Sequence, residues 1–166
     1  MTSDEWDVVV NRRAASTVNG VVNARYAKAT VNTVKGFVLF PDVYTHPDGL
    51  TPPVNINIAG FSVPFSGNVY NGDDWQAMEA AGAVFLPASG YREYTIYHDG
   101  SMGYWSTTHG ILVGDALRAM LLNDGMILNG NERMWAQAVR PIYDADGSGA
   151  GTGGGITNLG IDNYVW

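Results

Sequence analysis

The sequence predicts an α+β fold, in which two helices flank a small, irregular antiparallel β-sheet with long loops. Two segments carry helix-capping residues followed by apolar residues at helical spacing, one at the N-terminus and one before Gly82. The other apolar runs are short, rich in valine, tyrosine and phenylalanine, and separated by glycine and proline. The sequence has 21 glycines and few charged residues, and this composition favours turns over long helices.

The composition argues against several classes of function. The formal net charge of −7 disfavours a nucleic-acid groove, because phosphate binding needs clustered lysine and arginine. The sequence contains no cysteine, which excludes thiolate catalysis, disulfides and metal sites with thiolate ligands. No apolar run approaches the length that spans a membrane, and the N-terminal MTSDEWDVVV carries acids where a signal peptide carries positive charge. We therefore predict neither membrane insertion nor a secretion signal.

The first predicted elements are a helix and two strands. Thr2-Ser3-Asp4-Glu5 fits a capping box, and the helix it opens should run to about Arg13 with apolar residues on one face (Trp6, Val9 and Val10). After a loop, residues 25–34 have β-type character, and Gly36 is predicted to turn the chain into a central strand at residues 37–40 that Pro41 ends.

The second predicted helix follows a long connection. Residues 42–72 are loop-rich, and a connection of that length in a compact domain is often functional or structurally braced. Asn71-Gly72-Asp73-Asp74 then caps a helix from Trp75 to Ala81, and Gly82 stops it.

The centre of the domain is predicted to be a β-meander between Gly82 and Thr108. Its parts are the apolar run at residues 83–86, an aromatic strand at residues 91–97, and a closing strand at residues 103–107. Valine, phenylalanine, tyrosine and threonine suit a half-buried pleated surface, and the glycines between them suit turns. The rest of the chain is predicted to form a surface that this core supports.

A hairpin is predicted after the meander. A three-residue turn at Asn123-Asp124-Gly125 would pair Leu122 with Met126 and Met120 with Leu128. Cross-strand partners share a face, so this register places two sets on opposite faces of the hairpin. The first set is Leu117, Ala119, Leu121 and Ile127, and the second set is Arg118, Met120, Leu122, Met126 and Leu128. A two-residue turn would mix the two sets.

The C-terminal part divides by composition. Residues 134–142 are predicted as the last core strand of a domain that spans residues 1–143. Residues 144–155, DADGSGAGTGGG, have linker composition, and residues 156–166 form a C-terminal strand or tail.

Several ordered motifs resemble one family of C-type-lectin-like domains. FLPASGYR, GYWSTT and the later Ala138-Val139-Arg140-Pro141 are similar to its FLPAAGYR…GYYWSST…SVRPV signature, and the resemblance extends over roughly residues 3 to 142. That family is related to the formylglycine-generating-enzyme fold and is common in surface proteins of gut bacteria and their phages. Some members are the variable proteins of diversity-generating retroelements. The resemblance implies a C-type-lectin-like fold and a location at the cell surface or on a virion.

The resemblance does not imply catalysis in this chain. Formylglycine-generating enzymes act through cysteines, and this chain has no cysteine. The histidines at positions 46, 98 and 109 show no metal-ligand spacing, and no serine-hydrolase motif is present. The calcium-binding loops of true C-type lectins are missing as well. We therefore predict a protein that is not an enzyme and has no cofactor and no metal site.

The segment between GYWSTT and the Ala138-Val139-Arg140-Pro141 motif is predicted to be the recognition surface. The partner would be a protein or another cell-surface ligand, and an apolar patch on a rigid hairpin is typical of an interface. The predicted ligand-binding residues are His109, Ile111, Leu112, Val113, Asp115, Arg118, Met120, Leu122, Met126, Leu128, Asn129, Asn131, Met134 and Trp135.

In the retroelement family, this same interval varies through changes at the adenines of asparagine codons. Most of the chain's residues there are reachable in that way, whereas Met120, Met126, Glu132, Met134 and Trp135 are not. Either the template sequence of the retroelement contains other codons at those positions, or the chain is a relative of the family whose sequence does not vary. Two alternatives to ligand binding remain: the patch joins protomers of a homo-oligomer, or an N-terminal helix or the C-terminal tail covers it as ordinary core.

Overall fold

The computed structural model describes residues 3–58, 62–88, 91–92, 96–97, 102–109, 115–122 and 125–132. The predicted strand at 134–142, the linker and the C-terminal tail lie outside the described residues. The elements in chain order are α1 (Ser3–Asp7), a π-helix (Val8–Arg12), β1 (Tyr26–Val31), β2 (Val34–Leu39), a 3-10 helix (Phe65–Gly67), β3 (Val69–Tyr70), α2 (Gly72–Ala80), β4 (Val84–Pro87), β5 (Tyr91–Arg92), β6 (Ile96–Tyr97), β7 (Met102–His109), β8 (Asp115–Leu122) and β9 (Gly125–Glu132).

The described residues form an α+β structure with two α-helices and a four-stranded sheet in the order β3-β1-β2-β4. The α+β class is confirmed, but a purely antiparallel sheet is wrong, because β3 pairs with β1 in parallel through Val31 and Tyr70. The physical reason is the long connection after β2, which carries the chain across to the far side of β1. A short turn cannot make that crossing, whereas a connection of this length can.

The N-terminal helix forms as predicted, although its second half is π-helical. Trp6, Val9 and Val10 are all buried, so the apolar face read from the sequence is the packing face. Thr2 of the expected capping box lies outside the described residues.

Arg13 fastens this helix to the sheet. Its Nε donates to the Val9 carbonyl at 2.6 Å, and its guanidinium also donates to the carbonyl of Phe40 and pairs with Asp42. The Arg13 side chain is buried while Asp42 stays largely exposed, so the charge is satisfied mainly by carbonyls. The end of the N-terminal helix is therefore held at the end of β2.

The β1-β2 hairpin turns earlier than predicted. Asn32 and Thr33 have positive φ angles of 46° and 72° and make the turn, because Val31 is paired directly with Val34. Gly36 lies inside β2, where a Cβ atom would collide with the Leu86 carbonyl oxygen and the Phe85 ring of β4. The glycine that suggested a turn is instead required for close approach of two strands.

Asn57 braces the long connection against the start of β1. Its backbone has a φ of 61°, a left-handed conformation that asparagine tolerates. Its Oδ1 accepts from the backbone N–H of Arg25 at 2.8 Å, and its Nδ2 donates to the Asn23 carbonyl at 2.9 Å. One side-chain amide thus satisfies backbone groups on the segment that enters β1.

Asn68 and Lys28 brace the far end of the same connection. The buried Asn68 amide accepts from the Val54 N–H at 2.8 Å and donates to the Lys28 carbonyl at 2.7 Å. The Lys28 ammonium donates to the Val63 carbonyl at 3.2 Å and lies 5.0 Å from the centre of the Phe65 ring. Of the two possibilities for this connection, structural bracing is the one observed in the described residues.

The second helix has the predicted cap and stop. Asn71 Oδ1 accepts from the Asp74 N–H at 2.9 Å, while Asp74 Oδ2 accepts from the Asn71 N–H at 3.0 Å, which is a complete capping box. Gly82 follows the helix with a φ of 94°, as a glycine at a helix C-terminus commonly does. Met78 on this helix is fully buried in the core.

The core lies where the sheet meets α2 and the braced connection. Its buried apolar side chains come from β1, β2, the connection and α2, and they include Ala27, Val38, Phe40, Tyr44, Ile56, Tyr70 and Met78. Each large apolar side chain buried in this way contributes roughly 1.5–3 kcal/mol.

The predicted aromatic strand at residues 91–97 is wrong as a single element. It consists of two short strands that pair with each other, with Tyr91 opposite Tyr97 and Arg92 opposite Ile96. The closing strand is present as β7 and is longer than predicted.

Gly36→Ala is expected to lower the free energy of unfolding by about 1–3 kcal/mol, because the added methyl forces β2 and β4 apart. Gly72→Ala is the matched control, since its position on α2 has open space and alanine favours helix. Urea denaturation should show no loss of stability, or a gain of up to about 1 kcal/mol, in the control. Equal effects of the two substitutions would contradict the close approach at Gly36.

Candidate functional site

The predicted recognition residues that the structure describes lie on a three-stranded antiparallel sheet in the order β7-β8-β9. His109 is on β7, four of the residues are on β8, and four are on β9. The β8 residues are Asp115, Arg118, Met120 and Leu122, and the β9 residues are Met126, Leu128, Asn129 and Asn131. Ile111, Leu112, Val113, Met134 and Trp135 lie outside the described residues.

The predicted register of the hairpin is wrong by one residue. Leu122 pairs with Gly125 and Met120 pairs with Ile127, so two residues, and not three, separate the last paired positions. Asparagine and aspartate are favoured in two-residue hairpin loops, so Gly125 can serve as the first residue of β9. The second set predicted from the three-residue turn, which contains Arg118, Met120, Leu122, Met126 and Leu128, therefore does not share one face.

The observed register sorts the three strands into two different faces, because directly opposed residues share a face. We define the apolar face as Met102, Tyr104, Leu117, Ala119, Leu121, Met126 and Leu128, with Asp115, Gly130 and Glu132 toward one end. We define the mixed face as Gly103, Trp105, His109, Ala116, Arg118, Met120, Leu122, Gly125, Ile127, Asn129 and Asn131. Met126 and Leu128 thus move to the apolar face, and Ile127 joins the mixed face.

The charges are divided between the faces. Arg118 is the one arginine in strands β7, β8 and β9, and these strands contain no lysine. It lies on the mixed face, where the described residues include no aspartate or glutamate. Asp115 and Glu132 are paired directly opposite each other at the end of the apolar face. The mixed face therefore carries a positive charge on a chain whose formal net charge is −7.

The β7-β8 ladder contains an irregularity within the mixed face. The pairing shifts between Trp105, which is opposite Arg118, and His109, which is opposite Ala116. Extra residues in one strand bend it and increase its twist, and such bulges often occur beside binding sites. His109 therefore lies beyond the irregularity in β7.

Sequence reasoning missed Trp105, Gly103 and Ile127 as members of the surface that carries Arg118. Trp105 belongs to GYWSTT, which was interpreted as scaffold only. The alternation of residues along β7 was the available signal, since it places Trp105 on one side and Tyr104 on the other.

The helix α1 lies beside β7 and β8. Its Trp6 is buried, as are Val9 and Val10 in the turn that follows. The alternative in which an N-terminal helix covers the predicted patch as ordinary core stays open, because α1 lies beside the two strands.

Other chemistry in the described residues is limited. The described residues contain no group of three or more histidine, aspartate or glutamate side chains that could hold a metal ion. In the same part of the chain, no helix has the length and apolar character that crossing a membrane requires.

His46 is the histidine whose side chain is described, and it packs inside the long connection. Its Nδ1 is 3.1 Å from the Tyr44 hydroxyl, and burial lowers the pKa of His46 despite the opposing effect of the Thr51 and Leu50 backbone. Burial also raises the pKa of Tyr44, and it raises the pKa of Tyr70 to about 12. These groups form a neutral, structural cluster.

Comparison of the chain with protein-family models, with curated proteins and with solved structures finds no significant match.

His46→Asn is expected to flatten the pH dependence of stability. Because the folded-state pKa of His46 lies below the unfolded value of 6.5, the unfolded chain binds a proton first as the pH falls. The stability that depends on neutral His46 should therefore be fully present above about pH 6.5 and should be lost as the pH falls through that value toward the lower folded pKa.

Urea denaturation of both proteins from about pH 8 to about pH 5 measures this effect. A difference in unfolding free energy between wild type and His46→Asn that is the same at every pH would show that His46 does not contribute to the pH dependence.

Proposed function

We propose that this protein is a non-enzymatic ligand-binding module, of the receptor-binding or adhesion type, that displays the mixed face of β7, β8 and β9 on a C-type-lectin-like scaffold. The supporting observation is the register of the three strands, which separates an apolar face from a face that combines arginine, tryptophan, histidine, asparagine and methionine. Arginine, tryptophan and methionine are enriched in the cores of protein interfaces.

The apolar face is the one expected to be buried. Leu117, Ala119 and Leu121 on β8 stand between apolar residues of both neighbouring strands, and exposing such a surface to water would be costly. The helix α1 lies beside β7 and β8. Our proposal assigns the apolar face to packing inside the protein and the mixed face to display.

The proposed C-type-lectin-like scaffold agrees with the location of the residues that carry the resemblance. FLPASGYR begins in β4 and ends in β5, and GYWSTT lies in β7. Both motifs therefore contain strand residues in the described part of the chain, and all of the predicted recognition residues follow the motifs in the sequence. A fixed scaffold that precedes a changeable surface is the arrangement that the resemblance implies.

We further propose that the mixed face is the variable surface of a diversity-generating retroelement target, located at the cell surface or on a virion. Several residues that mutation of asparagine codons can produce lie on this face: His109, Arg118, Leu122, Asn129 and Asn131. Asp115, Leu117, Leu121, Leu128 and Gly130, whose residue types are also reachable, lie on the apolar face. The polar and charged members of the reachable set therefore lie mostly on the mixed face, and this supports the proposal.

A second candidate function is assembly, in which the same face joins protomers of a surface or phage fibre. The observation in its favour is that Met120, Leu122 and Ile127 are neighbours on the mixed face, and a second copy could bury them. Light scattering distinguishes the two: a dimer or trimer that persists on dilution and dissociates in Met120→Asp favours assembly.

Sequencing the same locus across related genomes tests the ligand-binding proposal. We expect substitutions to alternate along the strands, with Arg118, Met120 and Asn129 variable, while Leu117 and Leu121 on the apolar face stay constant. Adenine-directed changes matched to a nearby template repeat would support the retroelement origin. Equal variation on the two faces, or Arg118 no more variable than Tyr91, would contradict the proposal.

A further inference from the structure

The middle of the long connection, residues 45–52, is a loop that lies over the core with few contacts of its own. Most of its residues are exposed, whereas His46 and Leu50 are partly buried, and Leu50 packs against the core cluster. The Thr51 carbonyl accepts from the Tyr70 hydroxyl of β3 at 3.4 Å, which is long for a hydrogen bond. Among the described residues, the loop is therefore held mainly by the packing of its one histidine and its one leucine.

Both ends of this loop are fixed. Before it, the Tyr44 N–H donates to Ser16 Oγ at 2.9 Å, and the Tyr44 ring packs against Phe40. After it, the Val54 N–H donates to the amide oxygen of Asn68 at 2.8 Å. A segment with fixed ends and few central contacts can open by itself while the rest of the protein stays folded.

One ring nitrogen of His46 has a partner, and the other does not. Nδ1 is 3.1 Å from the Tyr44 hydroxyl, whereas Nε2 is shielded from solvent and has no hydrogen-bond partner among the described residues. The neutral ring carries one N–H, and the protonated ring carries two. Protonation therefore adds a charge and leaves Nε2 as an unsatisfied buried donor, which is unfavourable until the ring reaches water.

In the described part of the chain, no charged group compensates the protonated ring. Tyr44 contacts it and Tyr70 lies next to Tyr44, and both stay neutral below about pH 8 because burial raises their pKa values. Asp48 in the same loop is exposed, and Asp74 of α2 is close to Tyr70. Neither carboxylate forms an ion pair with His46. Burial is the largest influence on the ring, and it lowers the pKa of His46.

We propose that the 45–52 loop is an acid-released flap, which is closed over the core while His46 is neutral and opens when His46 takes up a proton. The braces at Asn57 and Asn68 stay in place, and opening exposes Leu50 with the apolar core beneath it. The loop is distant in sequence from the mixed face of β7, β8 and β9, so its opening does not depend on the proposed ligand binding.

Thiol labelling of single-cysteine variants tests the flap, because the chain has no cysteine of its own. Leu50→Cys reports opening, and Thr51→Cys, an exposed neighbour, is the matched control for the effect of pH on the labelling reaction. With dithiodipyridine as the reagent, the rate for Leu50→Cys divided by the rate for Thr51→Cys should rise severalfold from about pH 7.5 to about pH 5.5. The limit is about tenfold, because a histidine in the open loop titrates near pH 6.5. In the His46→Asn background, the ratio should stay constant.

Labelling in low concentrations of urea separates local opening from global unfolding. Met78→Cys lies in the core and reports global unfolding, so its labelling rate should rise steeply with urea. The rate for Leu50→Cys should change little, because opening one loop exposes little surface. Proteolysis requires no cysteine: cleavage within residues 45–52 of the wild type, relative to His46→Asn at the same pH, should increase from about pH 7.5 to about pH 5.5.

Equal protection and equal urea dependence of Leu50→Cys and Met78→Cys would overturn the flap, because the loop would then open only when the whole protein unfolds. Labelling of Leu50→Cys as fast as Thr51→Cys at about pH 7.5 would show that the loop has no closed state. A labelling ratio that rises equally with His46→Asn, or that rises in neither protein, would show that His46 does not release the loop. Circular dichroism verifies that each variant is folded.

Discussion

The four-stranded sheet depends on β1, because this strand is paired along both edges and buried along nearly its whole length. Its two neighbours reach it in different ways. The strand β2 arrives through a tight turn, whereas β3 arrives after the long connection and runs parallel to β1. Parallel pairing of this kind requires the connection to cross the sheet and to be held there.

Side-chain amides hold that connection in place. Asn57 and Asn68 satisfy backbone groups of the connection and of the β1 region in the way that a further strand would. Buried backbone groups must find partners, and asparagine supplies both a donor and an acceptor from one short side chain. The connection is therefore part of the folded core, and it delivers β3 and α2 to defined positions. Arg13 makes the corresponding attachment for the N-terminal helix, whose first turns lie beside β7 and β8.

Local signals in the sequence predicted the elements whose chemistry is local. The capping box at Asn71 and Asp74 and the stop at Gly82 involve neighbouring residues, so they could be identified directly. The role of Gly36 could not, because the demand for glycine comes from β4, far away in the sequence. The parallel β3 was missed for a similar reason, since two residues carry no pattern of their own.

The register of β8 and β9 was ambiguous for a different reason. Both strands have consecutive apolar residues near the turn, Met120 to Leu122 on one side and Met126 to Leu128 on the other. Either register can therefore place leucine on a buried face, and alternation does not decide between them. The observed pairing of Leu122 with Gly125 is the one that a two-residue turn predicts. The composition of the mixed face, and with it the proposed recognition surface, follows from that single residue of difference.

Engineered disulfides measure this register most directly, because the chain has no cysteine of its own and therefore offers no competing thiol. Ala119 is opposite Leu128 in the observed pairing, whereas the three-residue turn would place Met120 there. Ala119→Cys with Leu128→Cys should therefore form a disulfide under mild oxidation, and Met120→Cys with Leu128→Cys should keep free thiols, as measured by mass spectrometry after thiol labelling. The reverse result would contradict the observed register and the mixed face that depends on it.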